Sequence, residues 1–244
     1  LHLSTFAAQL HRRREVGAVT SHTDVAAVHL SHHNPPTREL ARRLADWGAR
    51  VVDDGTRLGR PSGVVEPPGR TLVIGGARSG KSREAERILA TEADVTYVAT
   101  SYPLGNDEEW DQRVLRHRAD RPGHWRTLET LDLPALLRES GTPLLVDCLT
   151  LWLTRVLDRH GAWDDATWAE GGEKAVLAEV DDLVEAWRHT RRRVVAVTNE
   201  VGQGVVPDTA SGRRFRDLMG RVNARIAAVT EDVRWCVAGR VTRL

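Results

Sequence analysis

The sequence predicts an α/β fold: a mainly parallel sheet flanked by helices, preceded by a short N-terminal extension. Three observations predict it. From residue 70 onward, short apolar runs alternate with amphipathic stretches of helical period. One of those runs passes into a glycine-rich turn that opens a helix. The chain is also long enough, at 244 residues, to bury a core without disulfide or metal staples.

The elements follow in order. Val25–Leu30 is an apolar run, Thr37–Trp47 a helix and Ala49–Val52 a strand. Pro61–Gly69, rich in Pro and Gly, reads as a linker, so residues 1–60 form one part and residues 70–244 the other. Thr71–Ile74 is then a short buried strand and Gly80–Ala90 a helix. Val95–Ala99 is the next strand, and Asp107–Arg118 a helix with Trp110, Val114 and Leu115 near one face. Pro143–Val146 is a strand ending at Asp147, followed by helices over Leu149–Asp158 and Trp168–His189. Arg193–Thr198 is a strand, Gly212–Thr230 a helix and Val233–Ala238 the last strand. There is no internal repeat.

Composition removes several classes. A net charge of +1 is not that of a dedicated nucleic-acid binder, and 41% hydrophobic residues is not a disordered composition. No apolar run approaches the roughly 18 residues that span a bilayer, and no signal peptide is visible. Cys148 and Cys236 each sit in an apolar run without metal-ligand spacing, which predicts buried, reduced thiols and a cytoplasmic setting. Of 35 basic residues only Lys81 and Lys174 are lysines. In so arginine-biased a chain, a lysine marks a place where a slim point charge suits better than a planar guanidinium.

Lys81 lies in Gly75-Gly76-Ala77-Arg78-Ser79-Gly80-Lys81-Ser82, which matches G-x-x-x-x-G-K-[ST] between a strand and a helix. Glycines let successive backbone N–H groups turn inward onto phosphate oxygens, and the helix N-terminus adds positive potential. Lys81 then reaches the β- and γ-phosphates, and Ser82 is placed to hold Mg²⁺. The fold class is therefore P-loop NTPase-like. Such a site takes a second acid from the end of a neighbouring strand, and Asp147 has that position; an ordinary N-cap of the helix at Leu149 is the competing role. Arg113–Glu129 crowds arginines around His117 and His124, a setting for an acid, base or nucleophile at phosphorus or for a solvated basic helix end.

The blocks GGARSGKS, VTYVATS, RHRADRPGHWRTLE, LLVDCLTLWLT and VTNEVGQGVVPDTASGRRFRDLMGRVNARIA resemble the bifunctional adenosylcobinamide kinase/adenosylcobinamide-phosphate guanylyltransferase family, in order, over roughly residues 70–244. The resemblance implies phosphorylation of adenosylcobinamide with ATP or GTP. It further implies transfer of GMP from GTP, through a guanylyl-histidine, to adenosylcobinamide phosphate with release of pyrophosphate. It points to His117 as nucleophile, with His124 in the His-Trp pair of the same run. It places Ala99, Thr100, Ser101, Arg118, Ala119, Asp120 and Arg121 at the nucleotide, and gives Glu129 and Asp147 roles as base contacts or metal holders. It also implies a homotrimer. The stretch YPLGNDEEWDQ before Arg113 is longer than in the family, and Gly161–Glu173 is variable territory. Two alternatives stay open: a P-loop small-molecule kinase without the guanylyl step, and a nucleotide-binding switch.

Residues 1–60 lie outside that resemblance. HLSHHN…GARVVDDG is similar to the C-terminal end of a metallo-β-lactamase-fold hydrolase, but the main H-x-H-x-D-H ligand motif is absent. This part reads either as a truncated remnant or as a plain extension on the main domain. His29, His32 and His33 are not assigned a function, since one leftover ligand cannot hold a dinuclear site.

Overall fold

A computed structural model describes residues 2–53, 55–56, 65–102, 105, 108, 112 and 121–244. Helix α1 (Leu3–Glu15) precedes a βαβ unit of β1 (Val25–Ala27), α2 (Thr37–Asp46) and β2 (Ala49–Val51), whose strands pair in parallel. The second part opens with β3 (Arg70–Gly75), α3 (Lys81–Leu89) and β4 (Thr96–Ala99). It continues with β5 (Arg126–Glu129), α4 (Leu133–Arg138), β6 (Leu144–Asp147) and α5 (Leu149–Arg159). A short helical turn at Asp165–Thr167 and a wide turn at Trp168–Gly172 lead into α6 (Glu173–His189). Then come β7 (Val194–Asn199), α7 (Ala210–Ala227), β8 (Asp232–Val237) and β9 (Arg240–Arg243).

Strands β3 to β9 form one sheet in the order β5-β4-β6-β7-β3-β8-β9, parallel throughout except for the β8–β9 pair. Both faces are covered, which explains the continuous apolar runs of the inner strands. Leu72, Val98, Leu144, Val146, Val194 and Ala196 face one core with α4, α5, α6 and α7. Val73, Tyr97, Leu145, Val195, Val197 and Cys236 face the other, under Ala85, Ile88 and Leu89 of α3. The N-terminal part has its own small core of Leu3, Phe6, Leu10, Leu40, Leu44 and Trp47. Among the described residues, no helix is long and apolar enough to cross a membrane.

Several expectations are corrected. The strand ending at Asp147 is not the neighbour of β3. Strand β7 pairs with β3 in register and separates it from β6, and β7 is buried from Val194 to Thr198, as befits a central slot. The helix read over Trp168–His189 is broken at Gly171, whose φ of +134° only glycine tolerates readily. Helices α1 and α4 and strands β5 and β9 were not expected. Strand β5 is exposed along its length, so it carries no apolar run to read. Strand β9 follows Ala238-Gly239, both at positive φ, the two-residue turn that twisted hairpins favour. The helix expected at Asp107–Arg118 lies outside the described residues save for Glu108 and Gln112.

Candidate functional site

The parallel sheet carries its strand ends in register. Gly75 pairs with Asn199 and Cys236, Asp147 with Val197 and Ala99, and Ala99 with Glu129. One carboxyl edge therefore gathers the loop after β3, Thr100 and Ser101 after β4, Glu129, Asp147 and Asn199. Ligand sites of open α/β sheets lie in the crevice along this edge.

The phosphate loop is built by exclusion. A Cβ on Gly75 would come within 2.5 Å of the Cys236 carbonyl oxygen and 2.6 Å of Ser79 Oγ, so the strand can turn there only as glycine. Gly80 caps α3 at φ +94°. The loop is pinned from both flanks: the Gly239 amide donates to the Ser79 carbonyl at 3.0 Å, and the Glu200 amide to the Gly75 carbonyl at 3.2 Å. Gly76, Ala77 and Arg78 remain exposed, Ser79 is buried, and Lys81 and Ser82 are half-buried in the first turn of α3. Lys81 Nζ folds back to donate to the Gly76 carbonyl at 3.2 Å, over the loop it would serve. With loop amides, helix terminus and ammonium converging, the arrangement suits a polyphosphate.

Across the edge, Tyr97 joins two expected site residues. Its hydroxyl donates to Asp147 Oδ2 at 3.0 Å, while the Arg121 guanidinium lies over its ring at 3.2 Å from the centroid. Burial, and then the Asp147 charge, push the Tyr97 pKa well above its ordinary value, so it stays a donor. Thr100 is fully buried. Its hydroxyl donates to the Cys148 carbonyl at 2.7 Å and accepts from the Cys148 amide at 3.0 Å, locking β4 to β6. Ser101 offers its carbonyl to Arg155 at 2.9 Å. Burial, reinforced by Asp147, raises the Cys148 thiol to about 11, and burial does the same for Cys236; both are free cysteines.

Glu129 and Arg121 line a cavity of about 400 Å³ with Pro122, Gly123, Trp125 and Thr127. The buried indole N–H of Trp125 has no hydrogen-bond partner among the described residues. His124 stands on the outer side, its ring 4.5 Å from that of His11 in α1; burial and then His11 lower its pKa. His117, Arg118, Ala119 and Asp120 lie outside the described residues. The His32 and His33 rings lie 4.0 Å apart, tilted at 45°, and among the described residues no three His, Cys, Asp or Glu side chains gather as a metal site.

Sequence reasoning missed the end of β7. The Asn199 amide donates to Thr150 Oγ1 at 2.8 Å and its carbonyl accepts from Asn223 Nδ2 at 3.0 Å. Thr198 Oγ1 donates to Asn223 Oδ1 at 2.7 Å. This lattice sets Asn199 and Glu200 directly beside the phosphate loop. The signal was present in Val194–Glu200, an apolar strand that turns polar at its end as Leu144–Asp147 does.

The family model described as "Cobinamide kinase / cobinamide phosphate guanyltransferase" matches residues 71–244. The "Bifunctional adenosylcobalamin biosynthesis protein CobU" of Escherichia coli is 42% identical over 174 residues, 69% of this chain and 95% of that protein. Its Salmonella typhimurium counterpart is 40% identical over 178 residues, again 69% and 95%. The CobP protein of the same description from Pseudomonas aeruginosa is 45% identical over 175 residues, 70% and 94%. A solved ATPase from a bacterial type III secretion system aligns at a TM-score of 0.45 and 14% identity, over 69% of this chain and 51% of that one. The chain belongs to the cobinamide kinase / cobinamide phosphate guanyltransferase family.

Proposed function

We propose that the chain carries out its family's two reactions along the carboxyl edge of the sheet, with a shared phosphate loop and His117 as the nucleophile of the second. The observation that carries this reading is the register that lines up the phosphate loop, Asp147, Ala99 and Glu129 on one edge. In the first reaction a cobinamide hydroxyl oxygen attacks the γ-phosphorus of ATP or GTP, and the nucleoside diphosphate leaves. Loop amides and Lys81 stabilise the charge on the transferred group. In the second, an imidazole nitrogen of His117 attacks the α-phosphorus of GTP, and the bond to pyrophosphate breaks. A phosphate oxygen of adenosylcobinamide phosphate then displaces the histidine, giving adenosylcobinamide-GDP and the free imidazole. Neutral histidine is abundant near pH 7, which suits it to this role.

Arg121, held over Tyr97, lies at the same edge as Asp147 and follows His117 by four residues in the sequence. Ser82 and Asp147 offer a hydroxyl and a carboxylate, the hard oxygen donors that Mg²⁺ takes. Mg²⁺ bound there would neutralise phosphate charge. Glu200, next to the phosphate loop, is a further acid for the same task. The reading assigns residues 70–244 to catalysis, residues 61–69 to a linker and residues 1–60 to an appended segment. It carries with it a homotrimer working in the cytoplasm.

The test is covalent labelling with GTP labelled at the α-phosphate. Acid-labile, alkali-stable label on the protein is expected, and His117→Ala should abolish it while kinase turnover persists. A chain that binds GTP but takes no label would leave only the kinase. Undiminished labelling of His117→Ala would move the nucleophile elsewhere.

A further inference from the structure

The N-terminal segment has no counterpart in the relatives, since the match already spans 94–95% of their length and the family match starts at residue 71. Yet it is tied into the far end of the phosphate-loop helix. Trp47 Nε1 donates to the Arg87 carbonyl in the last turn of α3 at 2.9 Å. Beyond that turn, Arg14 Nη1 donates to the Thr91 carbonyl at 3.2 Å and His11 Nδ1 meets the Glu92 carbonyl at 2.8 Å. Carbonyls at the end of a helix need such donors.

Asp46, fully buried, makes the central tie. Its carboxylate accepts from Arg87 Nη2 of α3 at 2.6 Å and from both Nη atoms of Arg234 in β8, which is also fully buried. Glu84, one turn after Lys81, accepts from the same two arginines at 2.8 Å and from Arg42 of α2 at 3.3 Å. Asp232 completes the node, accepting from Arg234 Nε at 2.7 Å. The phosphate loop rests on these same two elements: α3 begins at Lys81, and the turn after β8 donates to Ser79.

We propose that the N-terminal segment is a brace for the phosphate loop, and that Asp46 is the positioning residue through which it holds α3 against β8. A buried carboxylate bridging two buried guanidiniums fixes their separation, and without it Arg87 and Arg234 face each other with one anion fewer. The brace rests on Lys81 and Ser82 holding the nucleotide. Coupling is reciprocal, so nucleotide at the loop must in turn tighten the docking of α2.

Hydrogen exchange on the unaltered full chain, with and without Mg²⁺ and a non-hydrolysable GTP analogue, tests this. Ligand binding raises the global stability of any protein, so α6, remote from the loop, serves as the reference. Amides of Leu40–Trp47 should slow at least about fivefold more than those of α6. Protection at Gly75–Ser82 with α2 and α6 changing alike would overturn the brace. No protection at Gly75–Ser82 would overturn the nucleotide site itself, and the brace with it. In steady-state kinetics, Asp46→Asn should raise the KM for nucleotide about tenfold with kcat within about threefold. Trp47→Phe, which removes the Nε1 hydrogen bond and leaves a smaller aromatic ring in its place, should shift KM in the same direction. Folded variants with unchanged KM would also sink the proposal.

Discussion

Lys81 shows how much one side chain can report. It is one of two lysines in a chain of 35 basic residues, and its ammonium lies back over the loop on the Gly76 carbonyl. A guanidinium would bring a wide planar fork to a place where the loop presents a single slim ammonium. Lys81→Ala should therefore lower both kinase turnover and guanylyl labelling by at least about 100-fold, the scale of losing one preorganised charge at developing phosphate charge. Lys81→Arg should not restore either. Nucleoside diphosphate release and label incorporation measure the two, and normal turnover in either assay would remove Lys81 from that step. Thr100 makes the opposite point. The family resemblance gave it a place at the nucleotide, and its hydroxyl is taken up by the backbone of Cys148. Position along a strand was legible in the sequence, whereas the direction of a hydroxyl depends on a residue 48 positions away.

At the scale of elements, that hydroxyl welds the ends of β4 and β6, and so sets Asp147 against Tyr97. Thr100→Val keeps the shape but takes this partner from the buried Cys148 amide, while the Cys148 carbonyl keeps the Trp152 amide at 3.1 Å. It should cost about 1–3 kcal/mol of stability, read as a lower urea midpoint at unchanged m-value. No loss would mean that the Cys148 backbone finds other partners. The elements that the sequence revealed are those with an apolar run or a helical apolar period: β2, β3, β4, β6, β7 and β8, and the helices α2, α3, α5, α6 and α7. Those it hid have none, such as exposed β5 and the hairpin strand β9. Strand order was hidden too. Strands β3 and β7 are neighbours although 118 residues separate the end of one from the start of the other, and no local pattern encodes that pairing. The carboxyl-edge site was visible residue by residue, as Gly75–Ser82, Glu129 and Asp147. Its assembly, and the Asn199–Glu200 corner beside the loop, needed the sheet.

At the scale of the whole molecule, the buried charges that join the N-terminal segment to the sheet also set its response to acid. Burial alone would raise the Glu84 pKa, but hydrogen bonds and charge from Arg87 and Arg234 overrule it and pull it down to about 2 from an ordinary 4.5. A carboxylate with a depressed folded pKa stabilises the fold fully above its unfolded value. That stability is lost as pH falls from about 4.5 through about 2. The difference corresponds to on the order of 3 kcal/mol from this one group, a large part of a typical net stability. Asp232, where burial is likewise outweighed by Arg243 and Arg234, shifts in the same direction and adds to the effect. Unfolding free energy from urea titrations should therefore fall steeply between pH 4.5 and pH 2. In Glu84→Gln, which cannot take up the proton, the slope over that window should be shallower by up to about 1.4 kcal/mol per pH unit, one proton's worth. Equal slopes in the two proteins would mean that Glu84 ionises alike in the folded and unfolded chain, its burial cost cancelling the pull of Arg87 and Arg234.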